Sequence, residues 1–570
     1  MTSQGIKAHE EPLFKVLWGV DILEVPPYQR NFAWDEEQVG ALWGDILRTS
    51  TGSDVYFLGS VVLVNTDHAG VYELLDGQQR FASLLLMLAA FRDVLKAERP
   101  QSDQIATIQS ALTTMDMSGK HGHKMTDRLH LNYRDRSYFA KVVDDKATIP
   151  EPEFASHRLL KKAYEYFKGR IEGLVKEGQD PESLWETFRT AFTGRLYVIR
   201  IEVGDEVQAQ MIFEALNSAG LDLTQADLIK NYLLRETAEH EREVAYKAWS
   251  SVADQVEESS QLTNFVRVYW NSGYSFARKD ELYKQIKKEV KKPPLASGQV
   301  DVKAFLDDMK DEAQEWLTLQ SSSLTGPGSD VEHANDDLRE LRELGAVLIF
   351  VPVLALRKVY AADMATFARA VRWFRDFYVR YTIVGKKAAN EVEEPYSRWA
   401  IKLRDGTFKA DDVYQELSKL SPTDVEFEDA FRDLSVRTLK VGRVLLARIN
   451  DAADPTNNIT KTMSSGKRVH LEHIIPKSPE KWQVFLDAEG IKHEEVVHSI
   501  GNMTLLVGSR NIAISNSVFA KKQAEAYAQG KNVAPINETL AIAAKFGKTE
   551  LKERQDWLAS QARSVWTLTK

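Results

Sequence analysis

The sequence predicts an α+β protein that is predominantly helical, and three observations lead to that class. Short β-branched runs alternate with helices over residues 10–100 and a further one occurs at 195–203. Residues 236–440 carry the apolar spacing of amphipathic helices almost throughout. The 570 residues contain no cysteine, so neither disulfides nor a thiolate zinc site holds any part together, and packing alone must do so.

With 43% hydrophobic residues and 12 Trp the chain can bury several cores. Its boundaries read as 10–235, with a helical insertion near 101–190, then 236–440 and 441–570. The N-terminus lacks the basic start and apolar core of a signal peptide, and no apolar run reaches the roughly 20 residues that span a bilayer. A soluble, cytoplasmic protein with no membrane partner is expected. The net charge of −9 argues against a chain that coats nucleic acid along its length. Residues 461–570 hold 16 Lys+Arg against 11 Asp+Glu, a local +5, which leaves −14 for residues 1–460. That distribution suits contact with polyanions at chosen places, or is ordinary scatter.

In chain order, DILEVPPYQR starts extended because Pro26 and Pro27 exclude a helix, and WDEEQVGALWGDILR has helical spacing. YFLGSVVLV reads as a buried strand. VYELLDGQQR is a strand ending in Asp-Gly, followed at once by the apolar helix FASLLLMLAAFRDVL. Strand, glycine turn and helix in that order place Asp76 to Arg80 at a helix N-terminus, a location that suits an anion. HGHKMTDR reads as a loop, and RLYVIRIEV at 195–203 as a strand returning to the first sheet. A helix, a turn at Gly220 and a second helix capped near Thr224 follow. KKPPLASGQ and SSSLTGPGSD are loops, and GAVLIFVPVLAL at 345–356 is a buried helix. The last 110 residues open with the strand RVHLEHIIP.

Metal-assisted phosphodiester cleavage needs a base to activate water, an oxygen ligand for a divalent cation and a group that orients the base. His473 is the candidate base. Glu472 offers a hard oxygen suited to Mg²⁺ or Mn²⁺, Asn511 a second one, and Asn502 a carboxamide to orient the imidazole. His470 lies on the strand face opposite to His473 and is a structural or phosphate contact. Lys477, Arg510, Lys521 and Lys522 are phosphate contacts or solvated surface charges. The residues HLEHIIP (470–476), IGN (500–502) and SRN (509–511) resemble the HNH, or ββα-metal, nuclease superfamily. The resemblance implies that Glu472 and Asn511 hold the metal, that His473 is the general base and that Asn502 orients it. Glu stands where Asp is commoner, and the zinc-binding cysteines of many relatives are absent.

Asp76, Gly77, Gln78, Gln79 and Arg80 place an acid, a glycine that lets a ligand approach the backbone, two amides and a guanidinium within one turn. Phosphate recognition uses these means, and so does a plain capping turn. No Walker A loop occurs. Together VPPYQRNFAW (25–34), LDGQQR (75–80), FEALNSAG (213–220) and DLIKN (227–231) resemble the ParB/sulfiredoxin-like nucleotide-binding domain of GmrSD-type modification-dependent (type IV) restriction endonucleases. That family carries an HNH domain at its C-terminus, and SspE-type phosphorothioate-sensing defence nucleases are similar in layout.

By that resemblance Asp76, Gln78, Gln79 and Arg80 contact GTP or ATP or its metal. Arg30 and Asn217 line the cleft, and Asp227, Lys230 and Asn231 close it. Asp227 also reads as a helix N-terminal acid and Lys230 as a surface lysine. Tyr28, Gln29 and Trp34 are core residues or stack on a base and read an altered DNA backbone. The function implied is an NTP-regulated, metal-dependent endonuclease that nicks modified phage or plasmid DNA, with double-strand breaks needing a homo-oligomer or repeated nicking. Two rivals stand beside it: a ParB-like nucleotide-dependent DNA-binding module, and a toxin-like nuclease independent of nucleotide.

Overall fold

The computed structural model describes residues 7–146, 148–204, 224–256, 259–454, 469–507, 516–527 and 535–570. Asn217, Gly220, Arg510 and Asn511, named above, lie outside the described residues. The chain divides into two compact units, residues 1–251 with 286–307 and residues 252–285 with 308–570. It is mostly helical with a mixed sheet, as the sequence predicts. Among the described residues no helix is long and apolar enough to cross a membrane.

The first unit is built on a six-stranded sheet. Its strands are β1 (Lys7–Pro12), β2 (Ile22–Glu24), β3 (Tyr56–Asn65), β4 (Val71–Asp76), β7 (Leu129–His130) and β8 (Leu196–Val203), in the order β1-β8-β3-β4-β2-β7. A short pair, β5 (Thr113–Met115) with β6 (Met125–Asp127), lies outside it, so HGHKMTDR is a loop only as far as Lys124. β9 (Val290–Lys291) and β10 (Val300–Asp301) form a second short pair around the predicted loop KKPPLASGQ. β8 does return to the sheet: it runs parallel to β3, with Val62 opposite Ile201, and antiparallel to β1. The register shifts between Phe57 and Ser60, where Gly59 has φ +101.

The helices of this unit include α1 (Leu13–Trp18), α2 (Glu36–Thr51), α3 (Gln78–Glu98), α4 (Gln104–Leu112), α5 (Arg136–Val143), α6 (Ala155–Lys176) and α7 (Pro181–Gly194), followed by Gln225–Glu236. α3 is apolar around most of its circumference and is buried accordingly, with α4, α6 and α7 packed on it. Phe91 of α3 meets Phe188 at 4.7 Å and Trp185 at 5.5 Å between ring centroids. The excursion between β4 and β8 is thus what covers α3. α2 starts with a capping box between Asp35 and Gln38.

In the second unit the apolar stretch at 345–356 becomes helical from Phe350 onward, which puts Pro352 in the first turn, where its missing N–H costs nothing. Arg375 is buried between Asp337 and Asp376, and Arg448 joins Asp337 to Glu340, forming a network of charges in the helical core. β11 (Val469–His473) and β12 (Met503–Val507) pair antiparallel, with Glu472 opposite Thr504 and His473 opposite Met503. They pack on Leu445, Leu446, Ile449, Leu558 and Trp566. That core fixes the strand carrying the Glu-His dipeptide.

Candidate nucleotide and nuclease sites

The first candidate site forms where β4 ends and α3 begins. Gly77 takes φ +92, a conformation open to glycine, and turns the chain so that Gln78, Gln79 and Arg80 occupy the first helical turn. Asp76 accepts from the Ser60 hydroxyl at 2.9 Å, and Arg80 Nη1 donates to the Ser60 carbonyl at 3.0 Å. Arg80 lies over Gly59, where a Cβ would stand 3.1 Å from its Nη2. Burial lowers the Arg80 pKa, and Asp76 opposes that shift.

The segment Tyr28–Ala33 is held by groups from four distant places. Gln79 accepts from Ala33 N at 2.7 Å and donates to Asn31 O at 3.2 Å, so its amide is engaged with main chain. That is a correction to its expected role as a phosphate contact. Lys230 is not a surface lysine: it is 6% exposed, its Nζ donates to Gln29 O at 3.0 Å, and Tyr246 lies under it. Burial pushes its pKa down to about 8. Asn132 donates to Gln29 O and to Asn31 Oδ1, and Asp135 accepts from Phe32 N at 2.7 Å and from Ser156 at 2.6 Å. With its amide nitrogen facing two carbonyls, Asn231 donates to Tyr28 O and Asp227 O. Asp227 forms a capping box with Thr224, the structural alternative that the sequence left open.

Tyr28 and Gln29 are buried, Trp34 is half-buried against the core, and Gln78 Nε2 lies 3.4 Å from Gln29 Oε1. Gln29 Nε2 is buried and without a partner. Arg30 is half-buried. The sequence offered no signal for Asn132, Asp135 or Tyr246, which reach this segment from more than 100 residues away.

The second candidate site sits on β11. His473 is 7% exposed, and its Nε2 is buried with no hydrogen-bond partner. Burial pushes the imidazole pKa down to about 4, helped by Lys477, His498, Lys522 and His493. The ring of His498 stands edge-on at 6.4 Å, with its own Nδ1 unpartnered, and His493 bonds Pro476 O at 2.8 Å.

Asn502 does not touch the imidazole, contrary to the expectation. Its Oδ1 accepts from Ile475 N at 2.7 Å, and its Nδ2 donates to Ile475 O and Val497 O. It shapes the main chain leaving His473, an indirect way of placing the ring. Lys522 is likewise no surface charge. Its side chain is fully buried and its Nζ donates to Glu472 Oε1 at 2.6 Å and to His473 O at 2.7 Å. Desolvation excludes it from meeting DNA phosphate. Lys477 and Lys521 are exposed, the latter 3.8 Å from Glu525. Tyr527 OH is buried and unpartnered, and burial together with Glu472 raises its pKa.

Among the described residues no cluster of three acidic or histidine side chains could hold a metal. Glu472, a partly exposed carboxylate paired with Lys522, is the hard oxygen of the expected set that lies among the described residues, and the orphaned Nε2 of His473 is uncharged at neutral pH. Asn511, the further oxygen expected, lies outside the described residues.

The two sites thus lie in separate units, one polar and built on a helix N-terminus, the other a Glu-His pair on a strand. Residues 13–234 match the N-terminal domain of GmrSD restriction endonucleases, and residues 421–561 match their C-terminal domain. These matches make the chain a restriction endonuclease, whose substrate is DNA. The chain belongs to the GmrSD restriction endonuclease family. Comparison with curated proteins gave no match.

Proposed function

We propose that this restriction nuclease is controlled by a nucleoside triphosphate, depends on a divalent metal of the HNH type, and nicks modified DNA of phage or plasmid origin. The observation that carries the reading is His473, an uncharged buried imidazole whose Nε2 has no partner, adjacent in sequence to the carboxylate of Glu472. A base must be unprotonated before it can act, and the surroundings of His473 keep it so.

Glu472 and Asn511 would hold Mg²⁺ or Mn²⁺, which supplies Lewis-acid stabilisation of charge on the scissile phosphate. His473 accepts a proton at Nε2 from the attacking water. Asn502 keeps the following main chain fixed, and the exposed Lys477 and Lys521 attract the phosphate backbone. In the first unit, the N-terminus of α3, Asp76 and Arg80 receive the triphosphate of GTP or ATP, and its occupancy releases or restrains cutting. Arg30, Asp227, Lys230 and Asn231 belong to the same binding region. Tyr28 and Gln29 are buried and take the core alternative, which leaves the half-buried Trp34 to respond to the modification.

The test is cleavage of supercoiled plasmid, modified and plain, with Mg²⁺ or Mn²⁺ and with or without each nucleotide. His473→Ala is expected to lose nicking while retaining nucleotide hydrolysis, and Asp76→Ala to lose the response to nucleotide. Nicking by His473→Ala at the wild-type rate would remove the nuclease reading. An unchanged nucleotide response in Asp76→Ala would favour the nucleotide-independent alternative.

A further inference from the structure

A cavity of about 240 Å³ opens in the second unit, between residues 481 and 546. Its lining divides in two. Trp482, Phe519 and Phe546 are buried, and the last two rings lie stacked at 5.9 Å with 26° between their planes. Lys481, Lys545 and Val518 are exposed. Among the described residues no acid lines the cavity. Lys545 meets Glu489 at 2.5 Å, whereas Lys481 has no ion pair among the described residues. The floor is thus aromatic and the rim cationic.

One helical turn, Phe519–Lys522, joins this cavity to the Glu472-His473 pair. Phe519 stands in the cavity wall, and Lys522, three positions on, donates to Glu472 Oε1 at 2.6 Å and to His473 O at 2.7 Å. Residues three apart on a helix are neighbours on its surface. Ile474 and Ile475, which follow His473, pack in one cluster with Trp482, Phe519 and Phe546. A ligand seated in the cavity is therefore held by the same packing that fixes the pair.

An apolar peptide side chain would cover the aromatic floor but leave two lysines beside an uncharged partner. Inorganic phosphate would meet the lysines but leave the aromatic faces in water. A nucleotide unit of DNA answers both, since its base stacks on aromatic rings and its phosphates are anionic. The volume is below the roughly 300–1,000 Å³ of sites for drug-sized ligands, which suits one base rather than several. We propose that the cavity receives a single unstacked base of the DNA strand, with Lys481 and Lys545 on the flanking phosphates. The inference rests on the nuclease reading and gives it a base subsite beside the Glu-His pair. Mismatched or single-stranded DNA, whose bases leave the stack most readily, is then bound in preference to perfect duplex.

The experiment measures DNA affinity of the full chain by fluorescence anisotropy, in a His473→Ala background that prevents cleavage. Two labelled strands are compared: a thymidine octamer, and an octamer of abasic deoxyribose phosphates that carries the same charge. The strand with bases is expected to bind about tenfold more tightly. Ala544→Trp fills the cavity from an exposed lining position and is expected to bring the two affinities together. Lys481→Ala is expected to weaken both about equally. Equal affinity of the parent for the two strands overturns the proposal however the variants fold. A preference kept in folded Ala544→Trp overturns it too, because the base would then be held elsewhere. Self-association of the chain that Ala544→Trp abolishes, with no preference for bases, assigns the cavity to a second copy instead. Failure to bind either strand removes the nuclease reading along with the subsite, whereas binding both alike removes the subsite alone.

Discussion

The ammonium of Lys230 donates to the main-chain oxygen of Gln29 at 3.0 Å across 201 positions of sequence, and Asn132 donates to the same oxygen at 3.2 Å. A buried lysine is thereby tied to the segment that follows β2, the segment that the sequence marks by its run of prolines and aromatics.

Replacing that lysine separates stability from function. The pKa of Lys230 is pushed down to about 8 from 10.5, so between those values the unfolded chain binds more protons than the folded one. Raising the pH through that window therefore stabilises the wild type, by about 3 kcal/mol at most. Lys230→Met is expected to lack this rise and to be at least as stable as wild type at pH 7, since Asn132 still satisfies Gln29 O. Nucleotide binding by the variant should weaken. Denaturant midpoints at pH 7 and 10, with a nucleotide titration, check both.

Gly59→Ala is expected to cost about 1–2 kcal/mol from its left-handed backbone alone. The new Cβ would also press on the Arg80 guanidinium from 3.1 Å. Thermal unfolding reads the first effect, and a fall in triphosphate affinity larger than any fall in Tm reads the second.

His130 gives the first unit a dependence on acid. It is 6% exposed, stacks on His121 at 4.5 Å, and burial with the nearby Arg136 and His121 pushes its pKa down to about 3, with Glu24 opposing. The unfolded chain takes up the proton first, so stability is full above pH 6.5 and is lost as pH falls towards 3. Between pH 7.5 and 5 the loss from this residue is on the order of 2 kcal/mol. Urea midpoints at the two values should differ less in His130→Phe than in wild type.

Asn502→Ala removes two hydrogen bonds to the main chain of Ile475 and one to that of Val497, and leaves a buried N–H and two carbonyls to find other partners. A loss of about 2–4 kcal/mol is expected. Because the carboxamide does not touch His473, nicking by the folded fraction should fall in kcat with little change in KM. An unchanged kcat would show that the main chain after His473 needs no such support.

The sequence and the structure agree where a local pattern dictates the outcome. The β-branched run within Tyr56–Asn65, alternation over Leu196–Val203, and Asp-Gly before an apolar run place β3, β8 and the N-terminus of α3 where they are found. β1 was not legible, because KAHEEP is polar and is a strand through its pairing with β8. The positions of Glu472 and His473 at a strand end were legible, but their contacts were not. A lysine in a polar segment reads as a surface charge, and only the fold carries Lys522 beneath Glu472. Likewise Asn132 and Asp135 carry no spacing that announces their hold on residues 29–32, since each bond closes a loop of about 100 residues.

The interior position of β8 bears on how the protein is made. β3 leaves the ribosome about 140 residues before the strand that must lie beside it, a delay on the order of 10 s at ordinary translation rates. Throughout that interval the nascent chain presents the edge of Val61–Val64, a run of apolar, mostly β-branched residues open to another strand. Polypeptides that end before Leu196 never close that edge and are expected to aggregate, whereas those extending past Val203 carry their own cover.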